Sequence, residues 1–226
     1  MREYLLRNHS MHNKKGVTLI ELLVVLVICG IVIGGVYRIF ISQTKAYTIQ
    51  DQVAEIQQDV RGAMEIMVRD IRMAGFQSRN FGSALISDSP IVTPLSTNRI
   101  TVNYERNSIT NTITYELVGT DLRRTDNITG VQETLLTNVR TLDFRYGIDA
   151  NGDNVIDGID GATGIVPDNA FVQAGSVGTA KVFAVRIELT ADPSSPDPDV
   201  TKVVSPRTLT SVVTPRNIYF KKYQTY

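Results

Sequence analysis

Apolar and polar positions change pattern three times along this chain. From Val17 to Tyr37 nearly every residue is apolar, broken only by Thr18 and Glu21 near the start, and the next charge is Arg38. Ile39, Phe40 and Ile41 carry the apolar character past it. A run of this kind approaches the ~20 residues an α-helix needs to cross ~30 Å of hydrocarbon. From Ser42 to about Ala74 the apolar residues return at intervals of three and four: Val53, Ile56, Val60, Met64, Met67 and Ile71. Gln57, Gln58, Asp59, Arg61, Glu65 and Arg69 fall between them. That spacing predicts a helix with one buried stripe, packed on its own globular head. Gly75, after the basic turn Arg69-Asp70-Ile71-Arg72, is the expected stop, because glycine adopts the left-handed conformation that closes a helix.

Beyond Gly75 the period shifts to two. Arg99–Tyr104 and Ile109–Val118 alternate. Thr120–Thr125 runs into the turn pair Asp126-Asn127, and a stretch from Leu135 carries its apolar weight on Val139, Leu142, Phe144 and Tyr146. Val182–Leu189 is the strongest late strand, with Leu209–Val213 after it. Alternation of this kind suits antiparallel strands with one buried face. The fold class is α+β: one long N-terminal helix, membrane-spanning in its first half, packed on an antiparallel β-sheet head. The segments read as 1–16, a basic leader; 17–41, the transmembrane half of the helix; 42–76, its amphipathic half; and 77–226, a β-rich exported head.

Charge gives this picture a direction. Arg2, Arg7, Lys14 and Lys15 precede the apolar run against the single Glu3, so the N-terminus belongs on the cytoplasmic side and the head outside. An ordinary secretory signal would have a shorter apolar core and a small-x-small site after it, whereas here a polar helical pattern follows Tyr37 directly. A plain signal anchor accounts for the basic flank and the span, but not for Glu21. A carboxylate at that depth costs about 3 kcal/mol on insertion scales, so it calls for a partner or for snorkelling to the headgroups. Over the whole chain 23 basic residues balance 23 acidic ones, so no nucleic-acid partner is expected. Cys29, the one cysteine, lies in the apolar run, so the head has no disulfide to stiffen it.

One further stretch carries chemistry. Counted from Asp149, side-chain oxygens fall at positions 1 (Asp149), 3 (Asn151), 5 (Asp153), 9 (Asp157) and 12 (Asp160), and Val155 offers a carbonyl at position 7. That is the ligand spacing of an EF-hand-like calcium loop, with Asn154 in place of the usual glycine and Asp160 in place of the usual glutamate. The same Asp, Asn and Gly residues also suit an exposed turn. A bound calcium would be structural, closing a long loop in a head without disulfides. The histidines are His9 and His12, both in the leader, and the head has no cysteine. Without the commonest general base and a thiol nucleophile, an enzyme is not expected.

Lys14-Lys15-Gly16-Val17-Thr18-Leu19-Ile20-Glu21 resembles the type IV prepilin signal. The resemblance implies cleavage between Gly16 and Val17 by a prepilin peptidase, N-methylation of Val17, and a role for Glu21 in assembly, paired with the N-terminal amine of a neighbouring subunit. Val17 stands where phenylalanine is usual, and Arg38 near where many major pilins have a helix-bending proline. The helix end Arg69–Phe76, the segment Leu135–Tyr146 and the late Val213-Thr214-Pro215-Arg216-Asn217 are similar to PilW-type minor pilins and, for the second, to the pseudopilin GspJ. The implied partners are other minor and major pilins and the inner-membrane assembly platform. The implied location is the inner membrane, in a single pass, before passage to a pilus fibre, the periplasm or the cell surface. Two other readings share these residues: a GspJ-like pseudopilin of a type II secretion system, and a membrane-anchored calcium-dependent adhesin.

Overall fold

The structure, a computed structural model, describes residues 16–76, 91–92, 94–106, 109–153, 155–159, 166–194 and 204–215. The chain forms two compact units, one up to Tyr47 and one from Thr48 onward. Helix α1, Leu19–Met73, contributes to both and runs 55 residues without interruption through Gly30, Gly34, Gly35 and Arg38. It is the one described helix long and apolar enough to cross a membrane, and its apolar window has no buried residue. Every residue from Leu19 to Thr48 is exposed.

In the second unit α1 behaves as an amphipathic helix. Ile56, Val60, Met64, Met67 and Ile71 are buried and Val53 is half-buried, while Gln57, Gln58, Asp59, Arg61, Glu65 and Arg69 are exposed. Ala63 and Asp70 join the buried face. The helix stops as its sequence predicts, with Gly75 at φ 76°. The N–H of Gly75 leaves the helix altogether and donates to the carbonyl of Asn103 at 2.8 Å. The N–H of Glu105 donates back to the carbonyl of Phe76, so the helix end is stitched to the edge of the first strand.

Among the described residues eight strands follow: β1 Arg99–Arg106, β2 Ile109–Val118, β3 Asp121–Asp126, β4 Gln132–Leu136, β5 Val139–Asp149, β6 Phe171–Val172, β7 Lys181–Ala191 and β8 Arg207–Val213. They divide between two antiparallel four-stranded sheets, ordered β1-β2-β3-β4 and β6-β5-β7-β8. The division falls inside the stretch that reads as one strand from Leu135. Asn138 there has φ 55°, a left-handed conformation that asparagine tolerates, and it turns the chain from β4 in one sheet to β5 in the other. The N–H of Val139 then bonds to Thr120, and the carbonyl of Asn138 accepts from Asp192, which ties the corner to both sheets.

One apolar core joins these elements. The buried face of α1 from Ile56 to Ile71 meets Ile100, Val102, Ile113, Tyr115 and Leu122 of the first sheet. Leu142, Phe144, Tyr146, Val185, Ile187 and Leu189 of the second sheet complete it. Within it lies a polar cluster that periodicity did not signal. Asp70 Oδ2 accepts from the Tyr115 hydroxyl at 2.6 Å and from Arg124 Nε at 3.0 Å. Burial, reinforced by the Asp70 carboxylate, pushes the Tyr115 hydroxyl far above the ordinary tyrosine range, so it stays a donor. A buried carboxylate with both donors present is satisfied, and with one removed it is costly.

Candidate assembly site and acidic loop

Gly16, Val17 and Thr18 precede α1, and Val17 is 72% exposed. Thr18 and Glu21 bond reciprocally. The Thr18 N–H and hydroxyl both donate to Glu21 Oε2 at 3.4 Å, and the Glu21 N–H donates to Thr18 Oγ1 at 3.4 Å. This is a capping box, in which a threonine and a glutamate three residues on satisfy each other's orphan N–H groups at a helix start. Its signal in the sequence is Thr18-x-x-Glu21, a pattern separate from the one that points Glu21 to assembly. The two roles are compatible: the bonds are long and exposed, and a carboxylate has lone pairs left for a cationic donor. The cap also gives Glu21 a reason to sit at this depth in a single chain.

The acidic loop leaves the end of β5. Asp149 is 3% exposed, and its Oδ1 accepts from the N–H of Gly152 at 2.6 Å. Asn151 Oδ1 accepts from the N–H of Asp153 at 2.9 Å, and Asn151 Nδ2 donates to Asp153 Oδ2 at 3.0 Å. Asp153 Oδ1 accepts from the N–H of Val155 at 2.8 Å. Asp157 closes the loop: its Oδ2 accepts from the N–H of Ala150, and its own N–H donates to the carbonyl of Ile148. Ile156 packs onto β5 at Gly147, where an added Cβ would meet Ile156 Cγ2 at 3.3 Å.

The donor set is hard and oxygen-rich, which suits calcium, although both carboxylate oxygens of Asp153 are already engaged within the loop. Yet among the described residues no three His, Cys, Asp or Glu side chains come together as a group able to hold a metal ion. Asp149, Asn151 and Asp153 follow one another along a chain of turn-forming bonds, and Asp157 meets the backbone across the loop. Asp160, the expected sixth ligand, and Asn154 lie outside the described residues, as do Arg216 and Asn217 of the late motif.

Comparison with known families fits both ends of this description. Residues 11–37 match the prokaryotic N-terminal methylation motif, which covers the leader junction, Glu21 and the apolar half of α1. Residues 50–213 match prepilin peptidase-dependent protein B, from the amphipathic half of α1 to the last residue of β8. No curated protein matches the chain. Both families are of structural, pilin-type proteins rather than enzymes. Since the second match covers well over half of the residues, the chain belongs to the prepilin peptidase-dependent protein B family and is a membrane-anchored, type IV prepilin-like minor pilin.

Proposed function

We propose that this protein is a PilW-type minor pilin that takes part in priming or capping a type IV pilus, together with other minor and major pilins and an inner-membrane assembly platform. The observation that carries this reading is α1 between Leu19 and Tyr37: an apolar surface wholly exposed in the single chain, with one carboxylate, Glu21, in its first turn. Such a surface needs a membrane first and the apolar helices of other subunits afterwards. The leader, 1–16, is removed between Gly16 and Val17, Val17 is methylated, and the chain sits in the inner membrane with its N-terminus cytoplasmic until it passes into the fibre at the cell surface. Glu21 then accepts from the N-terminal amine of a neighbour and sets each helix at a fixed axial step. A pair of this kind in a low-dielectric bundle cannot be left half-made, because one unpaired buried charge costs several kcal/mol.

The acidic loop completes the proposal. Asp149, Asn151, Asp153, Asp157 and Asp160, with the carbonyl of Val155, would draw together from their present turn-forming bonds around a structural calcium that braces a head lacking disulfides. If so, a chelator lowers the melting midpoint of the head and added calcium restores it; an unmoved midpoint removes the metal from the account.

Deletion of the chain in its host tests the main reading, with sheared surface pili and secreted proteins scored together. Loss of pili with normal secretion supports the minor-pilin role. Retained pili with lost secretion assigns the chain to the pseudopilus of a type II secretion system. No change in either leaves a binding role for the exported head.

A further inference from the structure

We propose that Asn151 is a deamidation site held back, in the folded protein, by the hydrogen bonds of its own loop. An asparagine followed by glycine is the dipeptide most open to this chemistry, since no side chain shields the attacking nitrogen. The Gly152 nitrogen attacks Asn151 Cγ, the bond from Cγ to Nδ2 breaks, and ammonia leaves with the proton the nitrogen gives up. The resulting five-membered succinimide is then opened by water at either carbonyl, to aspartate or isoaspartate. Asn151 is exposed, and nothing lies within 4 Å of where a Cβ on Gly152 would stand. Crowding therefore does not protect the pair.

Three hydrogen bonds do. The Gly152 N–H is committed to the buried Asp149 carboxylate at 2.6 Å, and Gly152 is set at φ 81°. Asn151 is pinned at both ends of its amide, Oδ1 by the N–H of Asp153 at 2.9 Å and Nδ2 by Asp153 Oδ2 at 3.0 Å. Attack requires the nitrogen to be released and the amide to swing onto it, so these bonds must open first. The conversion is also one-way. Aspartate replaces the donor Nδ2 with a carboxylate oxygen facing the carboxylate of Asp153, and isoaspartate moves Cγ into the main chain and adds a backbone carbon to a loop of consecutive tight turns, so neither product re-forms the lock. Product therefore accumulates with the time the loop spends open.

The test incubates the purified full chain in detergent and a chelating buffer, so that no bound cation contributes. The readout is the mass gain of about 1 Da at Asn151 and the isoaspartate content by peptide mapping. The folded chain is expected to convert at least about tenfold more slowly than the same chain in denaturant, since local opening must precede reaction. Asp149→Ala is expected to speed conversion, while Asp149→Asn, whose amide oxygen still accepts from Gly152, stays slow. Asp153→Ala, at an exposed position where folding is not at stake, frees the Asn151 amide and is also expected to convert faster. Equal rates folded and denatured overturn the protection, as do equal rates for Asp149→Ala and Asp149→Asn. No product at Asn151 in the denatured chain overturns the site itself.

Discussion

The two halves of α1 are the same helix in two different circumstances. From Leu22 to Tyr37 its residues are apolar or glycine and all exposed, whereas from Ile56 to Ile71 they are of mixed polarity and divide between a buried and an exposed face. An amphipathic helix needs one apolar surface to cover its stripe, and the chain supplies that surface from its own two sheets. A helix apolar all round needs partners on every side, and one small chain cannot surround it. The second half is thus finished by folding and the first only by a membrane or other subunits. Polarity around the helix, rather than helix propensity, separates the part that stabilises the monomer from the part that serves assembly.

The sharpest way to break this comparison is at Glu21, the one carboxylate in the unfinished half. Glu21→Ala is expected to leave cleavage of the leader intact and to abolish incorporation, scored as the processed chain in membranes against the chain in sheared filaments. Normal incorporation would leave Glu21 as a helix cap only. Next come paired truncations along one helix. Met67→Ala is expected to lower the stability of the head by about 2–5 kcal/mol, through lost burial and the cavity left behind. Ile33→Ala, on the exposed half, is expected to change it by no more than about 0.5 kcal/mol. Denaturant melts of the head report both, and similar losses at the two positions would erase the distinction.

A smaller effect is expected at the polar lock. Arg124→Met leaves Asp70 buried with Tyr115 as its remaining hydrogen-bond donor and the exposed Arg69 3.8 Å away, at a cost of about 3 kcal/mol, the lower end for a broken buried pair because Arg124 keeps some contact with water and Arg69 still offsets the charge. Thermal melting at neutral pH reads this out, and an unchanged midpoint would show that the lock adds nothing to the apolar contacts around it. The smallest effect lies in the β3–β4 turn. Burial works against ionisation of Asp126, but the N–H groups of Ile128 and Thr129 outweigh it and hold the carboxyl below the usual range. A carboxyl depressed on folding stabilises above its unfolded value, and the contribution fades as pH falls through the folded one. Acidification below about pH 4 should therefore loosen this turn, visible as faster amide exchange at Ile128 and Thr129, and Asp126→Asn should flatten that dependence.

Much of this was legible along the chain. The stripe from Ile56 to Ile71, the stop at Gly75 and the uninterrupted apolar run all rest on neighbours three or four residues away, which a periodic pattern reports directly. The late strand Val182–Leu189 was legible for the same reason at period two. The division at Asn138 was not, because a residue that tolerates the left-handed conformation also sits comfortably within a strand-like run. Nor was the burial of Asp70, whose partners Tyr115 and Arg124 lie 45 and 54 residues away and come within reach only when the first sheet covers the helix. In the acidic loop the spacing of oxygens was plain, while their commitment to successive backbone N–H groups became visible only with the turns in place.

The amino-acid sequence by itself determined where the helix is apolar all round and where on one face only, where it stops, and where the unusual residues stand, with Glu21 at the head of an apolar run and side-chain oxygens on alternate residues from Asp149 to Asp153. These are local properties, set by residue type and short spacing. The tertiary structure alone decided that the strands part into two sheets at Asn138, that Asp70 is a buried anchor rather than part of a solvated basic turn, and that Gly152 faces open space yet is held by Asp149. The first two depend on groups far apart in the chain meeting, and where water is excluded, as at Asp70, a single hydrogen bond or charge counts for far more than the same residue does along an extended chain; the third depends on the geometry of one tight turn.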